Sequence, residues 1–96
     1  MMKKSALIIW DAIKRNDIEK IRQKLDEGFP VDNDITDSHL NALSYACTRS
    51  TDQNVFQAIL SKNPNVNQRA SGGRTALHFA ALSGNQVALT ILLGLP

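Results

Sequence analysis

The chain has 96 residues, 43% of them hydrophobic and 21% charged, with a formal net charge of +2. That length makes one small domain burying only about two thirds of its extended surface, and that charge is too small to point to a nucleic acid. Cys47 is the only cysteine, which excludes an internal disulfide and suits a reducing compartment, cytoplasm or nucleus.

The first residues, MMKKSALIIW, place lysines before an apolar run as a signal peptide does, but residues 6–10 are too few for one and Asp11 follows. They read as the start of a first helix, residues 5–15, of a soluble protein. A second helix is expected over residues 17–27, where Ile18, Ile21 and Leu25 fall at i, i+3 and i+7. Asp17 is its N-cap and Gly28 its stop, with Pro30 beyond. Residues 31–41 are rich in Asn, Asp and Ser, which is turn chemistry. Helices follow over residues 42–49 and 53–62, the latter striped by Val55, Phe56, Ile59 and Leu60. After a second turn-rich stretch, residues 66–74, come helices over residues 76–83, capped by Thr75, and 86–93. No segment approaches the roughly 18 apolar residues of a membrane span.

Six helices of two to three turns are not stable singly, because nucleation is costly. Paired as three helical hairpins, they must gain stability by stacking. The small residues Ala12, Ala46, Cys47, Ala80 and Ala81 let the first helices approach one another, while Ile, Leu and Val of the second helices fill the space between layers. Leu60 is expected among the fillers, so that Leu60→Ala costs about 2–5 kcal/mol. The first hairpin is heavily charged, through Lys14, Arg15, Lys20, Arg22, Lys24, Asp26 and Glu27, whereas residues 75–96 contain no Asp, Glu, Lys or Arg. Terminal units of a stacked array need a polar outer face, so the last hairpin reads as unfinished. Either a following repeat or domain covers Val87, Leu89, Ile91 and Leu93, or the chain self-associates through the uncharged face of residues 86–93.

A period runs through these elements. Ile9, Leu43 and Leu77 recur at spacings of 34, Leu25 and Leu60 at 35, and Val31-Asp32 and Val66-Asn67 at 35. Residues 75–93, TALHFAALSGNQVALTILL, resemble the heart of an ankyrin repeat, which reads T-P-L-H-x-A-A-x-x-G and runs about 33 residues. Thr75, Leu77, His78, Ala80, Ala81 and Gly84 match it, and Ala76 replaces the usual Pro. Upstream the pattern is weaker, with Ser44 at the His position and Asn63 at the Gly. The resemblance covers nearly the whole chain and implies an all-α ankyrin-repeat solenoid: repeats over about residues 5–36 and 37–69 and a partial third over 70–96, with the turn-rich segments as β-hairpin fingers.

Candidate chemistry is sparse. Cys47 and His78 lie on first helices of adjacent repeats, but Cys47 holds a packing position and no third group orients a base; the resemblance makes His78 structural, bonded to Thr75. His39, in a finger at a position usually held by Gly, has no Cys or His partner at metal spacing. Gly72-Gly73 lacks the following Lys-Ser or Lys-Thr of a phosphate loop and serves a finger tip with φ > 0. Trp10 reads as a core or cap residue. Asn67 stands where an asparaginyl hydroxylase can act on this family, and hydrogen bonding of the turn suffices to explain it. No catalytic, metal or cofactor site is expected.

What the resemblance does imply is recognition, through a concave groove of finger tips and exposed ends of first helices. On this chain those positions are Asp37, Ser38 and Leu40, then Ser71, Gly72 and Arg74, and from the helices Lys14, Arg15, Thr48, Arg49, Leu82 and Ser83. Four are basic and one acidic, which suits an acidic peptide or protein loop, with Leu40 and Leu82 as exposed apolar anchors; a merely solvated charged face is the plain alternative. The expected role is a protein-protein interaction module. The other reading is an N-terminal targeting or regulatory segment of a longer multidomain enzyme.

Overall fold

Among the described residues six α-helices form close to where spacing and caps place them: α1 (Lys4–Lys14), α2 (Ile18–Asp26), α3 (Ala42–Arg49), α4 (Gln53–Leu60), α5 (Ala76–Leu82) and α6 (Gln86–Leu93). They come from a computed structural model that describes residues 4–95; the basic start at residues 1–3 and Pro96 lie outside it. Each helix after α1 begins at a short polar side chain. Asp17, Asn41, Asp52 and Asn85 accept the first-turn N–H groups of Lys20, Ser44, Asn54 and Ala88, as N-caps do. Thr75 and His78 close a capping box on α5.

The helices pair as α1/α2, α3/α4 and α5/α6, and the pairs stack in order, α1 on α3 on α5 and α2 on α4 on α6. Small residues permit the close approach: Ala12, Ala46, Cys47 and Ala80 are buried, and only Ala81 of the expected set is exposed. Between layers lie Ile9, Ile13, Ile21, Leu43, Val55, Phe56 and Ile59, all 0% exposed. Leu60 corrects the expectation drawn from its place in the stripe. It is only half-buried, at the edge of the core, because the α4 face that meets both neighbouring layers is centred one residue earlier, on Phe56 and Ile59.

The fingers differ from the expected β-hairpins, since no strand occurs among the described residues. The first is pinched by Ile35 N–H to the Leu40 carbonyl at 2.8 Å around a turn held by His39 N–H to the Thr36 carbonyl at 3.1 Å, and the second by Ala70 N–H to the Arg74 carbonyl, also 2.8 Å, around a turn held by Gly73 N–H to the Ala70 carbonyl at 3.0 Å. With one pinch each and a positive φ inside (His39 at 63°, Gly72 at 83° and Gly73 at 74°), neither runs straight long enough for a ladder. Ser71–Gly73 forms a single 3₁₀ turn instead.

Polar ties cross the layers where helices cannot. Ser50 Oγ donates to Asn16 Oδ1 at 2.7 Å, Asp32 Oδ1 accepts Asn65 N–H at 2.9 Å, and Gln68 Nε2 donates to the Asp32 carbonyl at 2.7 Å. The buried Asn85 does more: its Nδ2 donates to the carbonyls of Cys47 at 3.0 Å and Ser50 at 2.6 Å while its Oδ1 caps α6. One side chain thus fixes the third pair to the second.

Candidate partner-binding groove

Stacking sets the first helices side by side, so residues one period apart form rows. Lys14, Thr48 and Leu82 occupy one such row and Arg15, Arg49 and Ser83 the next, on α1, α3 and α5 or their last turns. The finger tips are joined directly, with Ser71 N–H donating to the Ser38 carbonyl at 3.1 Å. Asp37, Ser38, Ser71, Gly72 and Arg74 are all exposed. The positive φ of Gly72 lets the second tip turn where another residue would be strained.

The row members are unequal. Lys14 Nζ lies 5.0 Å from the centroid of the Trp10 ring, within cation–π range. Trp10 in turn stacks on Tyr45 at 6.0 Å, which makes it a half-buried bridge between the first and second pairs. Arg15 Nε pairs with Asp11 at 3.1 Å, both side chains largely in water, and it lines an outward cleft of about 440 Å³ beside Lys4, Leu7 and Lys20. Thr48 is half-buried and its hydroxyl donates to the Tyr45 carbonyl at 2.7 Å. Arg49, Arg74 and Ser83 are exposed, and Leu82 is 66% exposed.

Leu40 corrects the expectation of a second exposed anchor. The pinch from Ile35 N–H and the bond from its own N–H to Thr36 Oγ1 at 3.1 Å close the finger around it, and it packs half-buried against the core. Asn67 also departs from the expected role: its backbone N–H donates to Asn65 Oδ1 at 3.0 Å, so Asn65 organises that turn, and the Asn67 side chain is exposed.

Chemistry at Cys47 is opposed by its setting. His78 Nδ1 accepts Thr75 N–H at 3.0 Å and sits 2.9 Å from Thr75 Oγ1, which engages the lone pair a base would need. Burial pushes the Cys47 thiol up to about 12, because the thiolate would lose its hydration. The unfolded thiol ionises near about 8.5, so the folded state holds this proton more tightly. The resulting stabilisation is complete below about pH 8.5 and is lost as the pH rises towards about 12. Urea unfolding at stepped pH should show wild type losing stability across that window relative to Cys47→Ala. Among the described residues, no group of three or more His, Cys, Asp or Glu could hold a metal ion, and no helix is long and apolar enough to cross a membrane.

In comparison with known families, ankyrin repeats (3 copies) match residues 9–95. The chain belongs to the ankyrin repeat family. Among solved structures the human ASB11 ankyrin repeat domain is similar, with a TM-score of 0.74 and 22% identity over 88% of this chain. This chain spans 38% of that one. The likeness speaks to the fold alone. No curated protein matches the chain. Ankyrin repeats are in general protein-interaction modules, and an ankyrin repeat domain is what the matched residues contain.

Sequence reasoning missed the Trp10, Lys14 and Tyr45 cluster and the Asn85 tie. The i, i+4 spacing of Trp10 and Lys14 was the readable signal for the first. The second left none, since its partners are backbone carbonyls.

Proposed function

We propose that this ankyrin domain binds an acidic peptide or protein loop across its finger tips and first helices. The observation that carries the reading is the exposed cationic set Lys14, Arg49 and Arg74 beside the 66% exposed Leu82, with no ion pair to Arg49 or Arg74 among the described residues. Exposed charges without partners steer an oppositely charged segment, and an apolar anchor holds it. In this reading Asp37, Ser38, Ser71, Gly72 and Ser83 supply polar contacts, while Thr48 and Leu40, half-buried, and Arg15, paired with Asp11, contribute least. Cytoplasm or nucleus suits a chain whose one thiol is buried and unbridged.

The test is capture from cell lysate by the 96-residue chain beside an Arg49→Glu/Arg74→Glu variant. Both side chains are exposed, so the variant's melting temperature stays at the wild-type value. A partner captured by wild type should bind the variant with an on-rate lower by about tenfold or more, the gap narrowing in high salt. Equal capture refutes the basic groove. A second reading, a targeting or regulatory segment of a larger enzyme, draws support from the uncharged third pair, where Leu77 and Leu93 are exposed.

A further inference from the structure

The two outer faces of the stack are not alike. Aligning the second helices on their caps, Asp17, Asp52 and Asn85, places Lys20 and Lys24 of α2 where α4 has Val55 and Ile59 and α6 has Ala88 and Leu92. Val55, Ile59 and Ala88 are buried, on helices that pack against the second helix of the preceding pair. The first pair has instead a cleft with Lys4, Lys20 and Lys24 and the Asp11–Arg15 ion pair beside Leu7 and Ile8. Stacking another unit there would strip water from the lysines and from the exposed Asp11–Arg15 pair, a desolvation cost that an apolar partner face does not offset. That charged cleft is a poor seat for another stacked helix pair.

The opposite face keeps every feature of an inner layer. Leu77 and Ala81 of α5 stand where Leu43 and Cys47 stand on α3 and Ile9 and Ile13 on α1; Leu89 and Leu93 of α6 stand where Phe56 and Leu60 stand on α4 and Ile21 and Leu25 on α2. On α1, α2 and α3 these positions are buried beneath the next pair, as is Phe56 on α4. On the third pair Leu77 is 41% and Leu93 71% exposed, Ala81 is exposed, and Leu77, His78 and Ala81 line a cavity of about 230 Å³.

We infer that this face seats a fourth ankyrin helix pair, stacked in the register of the first three. The interface it continues is already built twice in the molecule. The first helices of the second and third pairs bring small buried residues to the stack, Ala42 and Ala46 on α3 and Ala76 and Ala80 on α5, and small residues against large ones fill such a gap. A second copy of the chain offers no equivalent. Its first-pair end presents lysines, and its third-pair end presents leucines to leucines.

The test appends one consensus ankyrin helix pair, with alanines at the Ala76 and Ala80 positions, in register after the sixth helix, and in a separate protein before the first. Thermal unfolding is compared with that of the 96-residue chain, in wild type and in Leu77→Lys/Leu93→Lys. Both substituted residues are partly in water, so the unfused variant melts within about 3 °C of wild type. The unit added after α6 raises the melting temperature by more than about 5 °C, the double variant loses that gain, and the unit added before α1 gives none. No gain after α6, or an equal gain at either end, overturns the inference. So does a concentration-dependent dimer of the unfused chain that Leu77→Lys/Leu93→Lys dissolves, which would make the occupant a second copy.

Discussion

Phe56→Ala should lower the unfolding free energy by about 3–5 kcal/mol, a large share of the 5–15 kcal/mol typical of whole domains. Phe56 is the largest fully buried side chain. It lies on α4, the helix packed between α2 and α6, so its removal opens a cavity in the middle layer, which both outer pairs need. Each pair has helices too short to persist alone, and the loss should therefore appear as one cooperative transition at lower urea. Leu60→Ala, four residues on and half in water at the core edge, should cost distinctly less. If urea titrations ranked the two the other way, the packing register of the second pair would be wrong.

Asn85→Asp should cost about 2–4 kcal/mol although it is the mildest change of shape available. Asp serves as N-cap at the equivalent positions 17 and 52, so capping of α6 survives the substitution. What is lost is Nδ2, which donates to the Cys47 and Ser50 carbonyls from a side chain only 6% exposed. A carboxylate would face those two oxygens at short range with nothing to donate. Asp52→Asn, at a cap whose side chain bonds only Asn54 N–H, is the matched control and should be nearly neutral. A small effect at both sites in chemical denaturation would show that capping, and not the tie between pairs, is the work of Asn85.

These two residues also show where the sequence was legible. Helix positions were readable to within a few residues because caps and apolar spacing are written in side chains: Asp17 and Thr75, expected as caps, each stand one residue before a helix, and the structure adds Asn41, Asp52 and Asn85 in the same place. Which stripe residue is deepest was not readable. Ile59 and Leu60 are adjacent and chemically alike, and only the crossing of α2 and α6 on α4 decides that the first is buried and the second is not. The fingers were located by their Asn, Asp, Ser and Gly content, but their detail rests on backbone bonds such as Ser71 N–H to the Ser38 carbonyl, for which no residue type is diagnostic. For the groove, the period supplied rows and the structure supplied exposure. The structure sets Leu40 half-buried against the core, ties Lys14 to Trp10 and leaves Arg49, Arg74 and Leu82 exposed.

The most direct test of the recognition surface is an amide chemical-shift map of the ¹⁵N-labelled chain titrated with a partner obtained by capture. The account predicts shifts concentrated at Asp37, Ser38, Arg49, Ser71, Gly72, Arg74 and Leu82, with Arg22, Gln57 and Lys62 on the second-helix side unmoved. Shifts centred on Arg22, Gln57 and Lys62, with the finger tips silent, would contradict it.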